Sequence, residues 1–187
     1  MKTLLPILLL ALFSISSINA QALYPVNERI MSNGIMDASQ LIAFFAKNKP
    51  ANVWRVERLA QLYIDEAQME GVNHDIAFVQ MIKETGWLNF SGSVPPEYNN
   101  FGGIGSTKPG EKGHRFEDEQ TGVRAHIQHL KAYASKEPLN NPLVDPRYHL
   151  VPKGTAPTVS KLKWATDPNY NNDLIDLLRR MYRFTFY

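Results

Sequence analysis

Glu84 is the residue whose sequence neighbours point most directly to chemistry. It falls in the last turn of a predicted helix that ends at Gly86, where the partial negative charge of the helix C-terminus disfavours an ionised carboxylate. Trp87, Leu88 and Phe90 follow, and apolar neighbours raise a carboxyl pKa. A glutamic acid that stays protonated near neutral pH can protonate the leaving oxygen of a glycosidic bond. The residues alone leave open a solvated glutamate at a helix end.

Two histidines raise the question of a metal site. His126 and His129 are three residues apart on a predicted helix, so both could face one ion. Zinc needs a third and usually a fourth ligand, and neither His114 nor His149 has a helical relationship to the pair. The sequence has no cysteine and no phosphate-binding loop pattern. We therefore predict no metal and no cofactor, and two ordinary helical histidines.

Capping signals and apolar spacing predict a mainly helical protein. Asp37 and Gln40 have the spacing of a capping box before a first helix, which Pro50 ends. Asn73 caps a third helix that places Glu84 in its last turn. The other predicted helical segments are residues 53–70, 121–135, 159–164 and the segment that follows the Asp167-Pro168 cap.

Residues 89–118 interrupt this helical pattern. Six glycines and three prolines give the segment the composition of loops and turns. A loop of this length inside a compact domain is usually functional or disordered, and its four aromatic residues argue against disorder. We predict a mainly α (α+β) domain with a small Gly-rich loop or β-hairpin lobe, including a strand over residues 114–116.

The composition limits the classes of function. The formal net charge of +2 over 187 residues, without a basic cluster, gives no support for nucleic-acid binding. Lys2, an apolar run over residues 4–13 and small or polar residues up to Ala20 form the pattern of a secretory signal peptide. The apolar run is too short for a stable membrane anchor, although an uncleaved N-terminal anchor is the alternative. We expect residues 1–20 to be removed and residues 21–187 to form one exported domain without a membrane span.

Four separated motifs resemble those of the bacterial glucosaminidases of glycoside hydrolase family 73. Residues 78–87, FVQMIKETGW, resemble the catalytic helix of that family, and residues 99–105, NNFGGIG, resemble its Asn-Asn-Phe-x-Gly-Ile-Gly loop. Residues 116–134 resemble the helix after the lobe. Residues 145–147 and 164–170 complete the set in family order. Together the motifs extend over nearly all of residues 21–187.

The resemblance implies a lysozyme-like fold in which a glycan lies between helices and a small lobe. It implies a peptidoglycan hydrolase that cleaves the β-1,4 bond between N-acetylglucosamine and N-acetylmuramic acid, with Glu84 as general acid. Combined with the predicted signal peptide, it implies a periplasmic or extracellular protein whose partner is the peptidoglycan glycan strand. Oligomeric state is left open.

The second catalytic carboxylate is ambiguous in the sequence. A two-carboxylate mechanism needs another Asp or Glu across the cleft, and the family often places it in the lobe. Glu97, Glu111, Glu117 and Asp118 are the candidates. We prefer Asp118 or Glu117, because the predicted strand before them would fix their direction, whereas Glu111 falls in a turn. A substrate acetamido group acting as nucleophile would make this second carboxylate unnecessary.

Other candidate site residues come from the last motif and the lobe loop. Tyr170 offers a hydroxyl that could orient a water molecule or the acetamido group. Trp164 stands where the family usually has an aromatic residue, often Tyr; it could stack on a sugar or belong to the core. The lobe loop offers four candidate substrate-binding residues, each with a structural alternative as a turn or core residue: Asn99, Asn100, Phe101 and Gly103.

Two alternative functions stay open from the sequence. A lytic transglycosylase shares the lysozyme-like fold and a single catalytic Glu but forms a 1,6-anhydromuramic product without water. A non-catalytic peptidoglycan-binding or assembly module is the second alternative, and the Trp164 departure is its best support. The intact motif around Glu84 favours an enzyme.

Overall fold

A computed structural model describes residues 26–108 and 110–186. The predicted signal peptide, residues 1–20, lies outside the described residues. Within them the chain forms five α-helices: α1 (Ala38–Asn48), α2 (Val53–Glu70), α3 (His74–Thr85), α4 (Glu119–Ala134) and α5 (Tyr170–Phe186). None of these helices has the length and apolarity needed to cross a bilayer.

The helix ends follow the capping signals. The Asp37 side chain accepts a hydrogen bond from the Gln40 backbone N–H, and the Gln40 side chain accepts one from the Asp37 N–H, so the predicted capping box before α1 is confirmed. Asn73 caps α3 by accepting from two backbone N–H groups. Gly71 and Gly86 end α2 and α3 in the left-handed conformation that glycine adopts without penalty.

Helix α2 is at the centre of the packing, because it contacts α1, α3 and α4, while α5 closes the other side of α3. Helices α1, α2 and α3 supply the four largest fully buried side chains, Phe44, Phe45, Tyr63 and Phe78. The Tyr63 and Phe78 rings meet edge to face with centroids 6.1 Å apart. This core fixes the direction of α3, the helix that carries Glu84.

The inserted lobe is irregular, and the predicted strand over residues 114–116 is wrong. The described part of the lobe contains one 3₁₀ turn, Pro96–Tyr98, and no strand. The His114 N–H donates to the Ile104 carbonyl and the Phe116 N–H to the Tyr98 carbonyl, each at 2.8 Å. These bonds reach two separate turns, so no ladder forms. The predicted class, a mainly helical domain with an inserted Gly-rich lobe, is confirmed.

The last two helices differ from prediction at their N-termini. Helix α4 begins at Glu119, two residues before the predicted start, with Asp118 as its cap. Helix α5 begins at Tyr170, because the Asp167 side chain and carbonyl accept from Asn169 and Tyr170 and hold residues 168–169 in a turn. The predicted helix over residues 159–164 is the 3₁₀ turn Val159–Lys161.

Candidate active site

Glu84 lies on the wall of a cleft between the C-terminal end of α3 and the lobe. The cleft encloses about 180 Å³. Its lining comes from α3, from the segment that follows it, and from the lobe: Glu84, Thr85, Phe90, Gly92, Ser93, Val94, Asn100, Gly103 and Ser106. The structure therefore brings the predicted acid together with the lobe loop, as the motif order implied.

The chain leaves α3 through a strained turn. Trp87, Leu88 and Phe90 have φ values of +60°, +56° and +49°, a left-handed region that costs non-glycine residues roughly 1–2 kcal/mol each. The Thr85 hydroxyl accepts from the Leu88 N–H at 2.9 Å. The Asn52 side chain donates to the Trp87 carbonyl at 2.9 Å. These bonds hold a conformation that turns the chain sharply beside Glu84.

The Glu84 carboxyl has two different oxygen environments. Oε1 accepts a hydrogen bond from the Tyr170 hydroxyl at 2.5 Å. Oε2 lies against Gly103, where an added Cβ would be 3.0 Å from it. Burial raises the pKa of Glu84 to about 7, although the Tyr170 hydrogen bond and the charge of Lys83 act in the opposite direction. A carboxyl with this pKa holds a proton at neutral pH in a large fraction of molecules.

Lys83 is next to Glu84 in the sequence but makes its ion pairs elsewhere. Its Nζ lies 2.6 Å from Asp173 Oδ2 and 3.7 Å from Asp167 Oδ2. Glu84 therefore has no cation in direct contact among the described residues. This separation lets burial dominate the Glu84 pKa.

Tyr170 is buried at the first position of α5 and points its hydroxyl at Glu84. The Gln80 side chain donates to the same hydroxyl oxygen at 2.8 Å. Burial and the Glu84 charge raise the pKa of Tyr170 well above its ordinary value, so the phenol stays protonated. Its hydroxyl therefore acts as the hydrogen-bond donor to Glu84. From sequence we predicted a hydroxyl directed at water or the acetamido group; its observed partner is Glu84.

Gly103 allows the lobe backbone to approach the acid. Its φ is +65°, and a side chain would press on Glu84 Oε2. Any other residue would therefore strain the backbone and crowd the carboxyl.

The two asparagines of the lobe loop bind the lobe itself. Asn100 is buried and donates to the Ile104 and His114 carbonyls, each at 2.9 Å, while its Oδ1 accepts from the Ile104 N–H. Asn99 adopts φ +51° and donates to the Phe116 carbonyl at 3.2 Å. Their side chains organise the turns that shape the cleft. Direct contact with a glycan stays a prediction for both.

Trp164 and Phe101 join the lobe to the helical body. Trp164 is partly buried, and its Nε1 donates to the Gly102 carbonyl at 3.1 Å. Its ring packs on His129 with centroids 4.8 Å apart. Phe101 is buried in the main core. Neither residue lines the cleft beside Glu84, so their predicted roles in sugar binding stay untested.

The candidate second carboxylates lie in different surroundings. Asp118 is exposed and caps α4 by accepting from the Thr121 N–H at 2.7 Å, which lowers its pKa. Glu117 is exposed, and neither residue lines the cleft beside Glu84. Our preference for these two depended on the strand over residues 114–116, which does not form. Their catalytic role stays a prediction.

Glu111 is tied more closely to the cleft than Asp118. Its carbonyl accepts from the hydroxyls of Ser93 and Ser106, two residues of the cleft lining, each at 2.8 Å. Its carboxylate accepts from the Thr107 hydroxyl and N–H, which lower its pKa. The turn that contains Glu111 is thus hydrogen-bonded to the wall opposite α3.

The histidines have protein partners. His126 is buried, and its ring nitrogens face the Tyr63 hydroxyl at 2.8 Å and Gln80 Oε1 at 3.0 Å. His129 Nδ1 lies 2.7 Å from Asp145 Oδ2. In the described part of the chain, no three His, Asp or Glu residues are grouped as metal ligands.

Sequence reasoning missed Gln80 as a site residue. It lies one helical turn before Glu84 on α3 and is fully buried, although a glutamine seldom is. A polar residue at i−4 from the acid, within an otherwise apolar face, was the available signal. Its partners Tyr170 and His126 are distant in sequence, so the signal could not name them.

Comparison with known proteins supports one family. The glucosaminidase family model, described as mannosyl-glycoprotein endo-beta-N-acetylglucosaminidase, matches residues 60–183, which include Glu84, Gly103 and Tyr170. An uncharacterized protein of Borreliella burgdorferi is 47% identical over 131 residues, equal to 69% of this chain and 64% of that protein. The chain thus matches somewhat less than two thirds of that relative's length. The chain belongs to the glucosaminidase family.

Proposed function

We propose that this protein is an endo-β-N-acetylglucosaminidase that hydrolyses the β-1,4 bond between N-acetylglucosamine and N-acetylmuramic acid in peptidoglycan. The observation that carries the proposal is the Glu84 carboxyl, which lies on the cleft wall with its pKa raised by burial to about 7. One of its oxygens is bound by Tyr170, and the other faces Gly103. Membership of the glucosaminidase family supports the proposed bond after N-acetylglucosamine.

In this mechanism Glu84 is the general acid. Its proton passes from Oε2 to the glycosidic oxygen as the bond from that oxygen to the N-acetylglucosamine anomeric carbon breaks. The Tyr170 hydroxyl donates to Oε1 and stabilises the carboxylate that forms. A water molecule then adds its hydroxyl to the anomeric carbon and returns a proton to Glu84. The balance is one water consumed for each bond cleaved.

The cleft lining favours assistance from the substrate. Among the described lining residues, Glu84 is the one carboxylate. We therefore propose that the substrate acetamido oxygen attacks the anomeric carbon and that water opens the resulting ring, which needs no second carboxylate. If Asp118 or Glu117 instead acts directly, Asp118→Asn or Glu117→Gln will reduce cleavage about 10²-fold or more. Retention of activity in both variants is expected under substrate assistance.

Activity should depend on pH in a defined direction. Glu84 works as an acid only while protonated, and its pKa is about 7. We expect cleavage to persist below pH 7 and to fall as the pH rises through that value.

We further propose that residues 1–20 direct export, so that the protein acts in the periplasm or cell wall, where its substrate is found.

A lytic transglycosylase is the second candidate. The single carboxylate of the cleft lining favours it, because that reaction closes an anhydro ring on the substrate and needs one acid-base residue. In that reaction the 6-hydroxyl oxygen of muramic acid, instead of a water oxygen, forms a bond to the anomeric carbon of the same sugar. Family membership favours hydrolysis on the glucosamine side.

Product analysis separates these functions. Purified peptidoglycan is digested in separate reactions with the wild-type protein, residues 21–187, and with its Glu84→Gln variant. The products are then reduced and analysed by mass spectrometry. The proposal predicts reduced N-acetylglucosamine ends, and a loss of roughly 10³-fold in the variant. Circular dichroism of both proteins controls for folding.

Each other product has its own meaning. Anhydro ends would assign a lytic transglycosylase, and reduced muramic acid ends would assign a muramidase. No cleavage by the wild-type protein across pH and salt would favour a peptidoglycan-binding module.

A further inference from the structure

A continuous chain of buried hydrogen bonds leads from α2 to the Glu84 carboxyl. The Tyr63 hydroxyl lies 2.8 Å from His126 Nδ1, and His126 Nε2 lies 3.0 Å from Gln80 Oε1. Gln80 Nε2 lies 2.8 Å from the Tyr170 hydroxyl, which lies 2.5 Å from Glu84 Oε1. Helices α2, α3, α4 and α5 each contribute at least one member. Tyr63, Gln80 and His126 are fully buried.

Each link of this chain constrains the donor in the next. An ionised Glu84 only accepts, so Tyr170 donates to it and must accept from the Gln80 amide nitrogen. The Gln80 amide oxygen then faces His126 Nε2, which must carry the imidazole proton. A neutral imidazole has one N–H, so Nδ1 accepts from the Tyr63 hydroxyl.

The reverse direction leaves a proton without a partner. In that direction His126 Nδ1 would donate to Tyr63, and the Tyr63 hydroxyl proton would need another acceptor. Among the described residues, Tyr63 has no hydrogen bond other than the one to His126. A fully buried hydroxyl proton without an acceptor is unfavourable, so Tyr63 selects the forward direction.

We propose that His126, Gln80 and Tyr63 are positioning residues for the acid: their directed hydrogen bonds keep Tyr170 donating to Glu84 Oε1 and leave Oε2, which faces Gly103, to carry the transferable proton. This inference rests on the proposed role of Glu84 as a general acid. In the reversed chain the Glu84 proton would point at Tyr170 and could not reach the glycosidic oxygen.

The charge state of His126 supports the same direction. Burial, with a smaller effect from His129, lowers the pKa of His126 to about 3, so the ring is neutral wherever the enzyme would work. The titratable groups that face His126 are Tyr63 on α2 and His129 on its own helix. The titratable groups that act on Glu84 are Tyr170 on α5, through its hydrogen bond, and Lys83 on α3, through its charge.

The test reads the tautomer of His126 directly. Long-range ¹H–¹⁵N spectra of residues 21–187 distinguish a protonated Nε2 from a protonated Nδ1. The expected result is a neutral ring with the proton on Nε2 from about pH 5 to pH 8. A proton on Nδ1, or an imidazolium within this range, would overturn the proposal.

A hydroxyl deletion tests the control that Tyr63 exerts. Tyr63→Phe is compared with Tyr182→Phe, which removes a hydroxyl that donates to Asp75 at the same distance, 2.8 Å, outside the chain. In Tyr63→Phe the two directions become similar in energy while Glu84 is protonated, so both His126 tautomers should appear below about pH 7 and the Nε2-protonated tautomer alone above it. The protonated Glu84 then has two arrangements of similar energy, which doubles the weight of the protonated form. Its pKa, followed by ¹³C NMR of its carboxyl, should therefore rise by about 0.3 unit.

The control and the outcomes are distinguishable from those of the proposed function. Tyr182→Phe should change neither the His126 tautomer nor the Glu84 pKa. If Tyr63→Phe also changes neither, the proposal is wrong. Both readouts are made without substrate, so absence of glycan cleavage alongside the expected spectra would count against the proposed function alone.

Discussion

Two regions of this protein shield glutamates from solvent, fully at Glu70 and partly at Glu84, and they treat the carboxyl group in opposite ways. At the α2–α4 interface Glu70 is buried and lies 2.8 Å from the Lys131 ammonium. At the end of α3, Glu84 contacts a tyrosine, and Lys83 is bound to Asp173. Burial raises the pKa in both regions, but at Glu70 the bonds from Asn140, Lys131 and Asn141 outweigh it and lower the pKa. At Glu84 the pKa rises to about 7.

The difference shows that burial alone does not define a catalytic carboxyl. Glu66 is also fully buried and pairs with Arg124 through two hydrogen bonds at 2.8 and 2.9 Å. Glu66 and Glu70 each contact a basic side chain of α4, Arg124 and Lys131, so both glutamates join α2 to α4. Glu84 lacks such a cation among the described residues and borders a cleft. That combination is what makes proton transfer to a ligand possible.

The largest effect is expected from breaking the interface pair. Glu70→Gln leaves the Lys131 ammonium buried without its counter-charge, which should lower the free energy of unfolding by about 3 kcal/mol. Urea unfolding measures this. The double variant Glu70→Gln, Lys131→Met should recover most of the loss, because neither charge remains buried. A single variant as stable as the wild type would mean that the pair is not structural.

Substitution by Gln is expected to raise the free energy of unfolding at Glu84, whereas it lowers that free energy at Glu70. Its folded pKa of about 7 lies above the ordinary 4.5, so the stability from its protonated form is fully present below about pH 4.5 and is lost as pH rises through 7. Glu84→Gln mimics the protonated form and should be more stable than the wild type by roughly 3 kcal/mol at about pH 8.5, because the difference between a pKa of 4.5 and one of about 7 corresponds to that free energy. Near pH 4 the two proteins should match. Equal stability at both pH values would contradict a raised pKa.

A smaller effect is expected at Gly103. Gly103→Ala forces φ +65° on alanine, at about 1 kcal/mol, and presses a methyl group on Glu84 Oε2. Cleavage should fall roughly tenfold as the carboxyl is displaced. Gly110→Ala is the matched control, since its φ is +86° and no described atom lies within 4 Å of the added Cβ. If both variants lose activity equally, backbone strain and not carboxyl crowding is responsible.

The smallest effect is expected at the ion pair beside the acid. Asp173→Asn weakens the hold on Lys83, whose Nζ then has Asp167 as its remaining partner. The Lys83 charge already lowers the Glu84 pKa, so a freer ammonium should lower it by a few tenths of a unit. The alkaline limb of the pH–rate profile should move to lower pH by that amount. Movement to higher pH would show that Lys83 is not the neighbouring charge that matters.

Local rules predicted most of the helical body. The capping box at Asp37, the Asn73 cap and the Gly86 stop are each determined by residues within four positions, so the sequence alone placed Glu84 in the last turn of α3. The start of α5 was less well predicted, because Asp167 accepts hydrogen bonds within a turn at residues 168–169, and the helix begins only after that turn.

The lobe and the hydrogen bonds of the site were not predictable in this way. Asn100 organises the lobe through carbonyls 4 and 14 residues away, and such bonds replace the strand that residues 114–116 suggested. The Tyr170–Glu84 bond joins residues 86 positions apart. Only tertiary packing brings these groups together, so the sequence could nominate Tyr170 but not its partner.

The central claim is that Glu84 is kept protonated near neutral pH by burial without a cation. The most direct measurement is the titration of its carboxyl by ¹³C NMR in wild-type protein, with Glu84→Gln used to assign the signal. We predict a pKa of about 7 for this group. A pKa near the ordinary 4.5 would contradict the account, because Glu84 would then be ionised where a general acid must carry a proton.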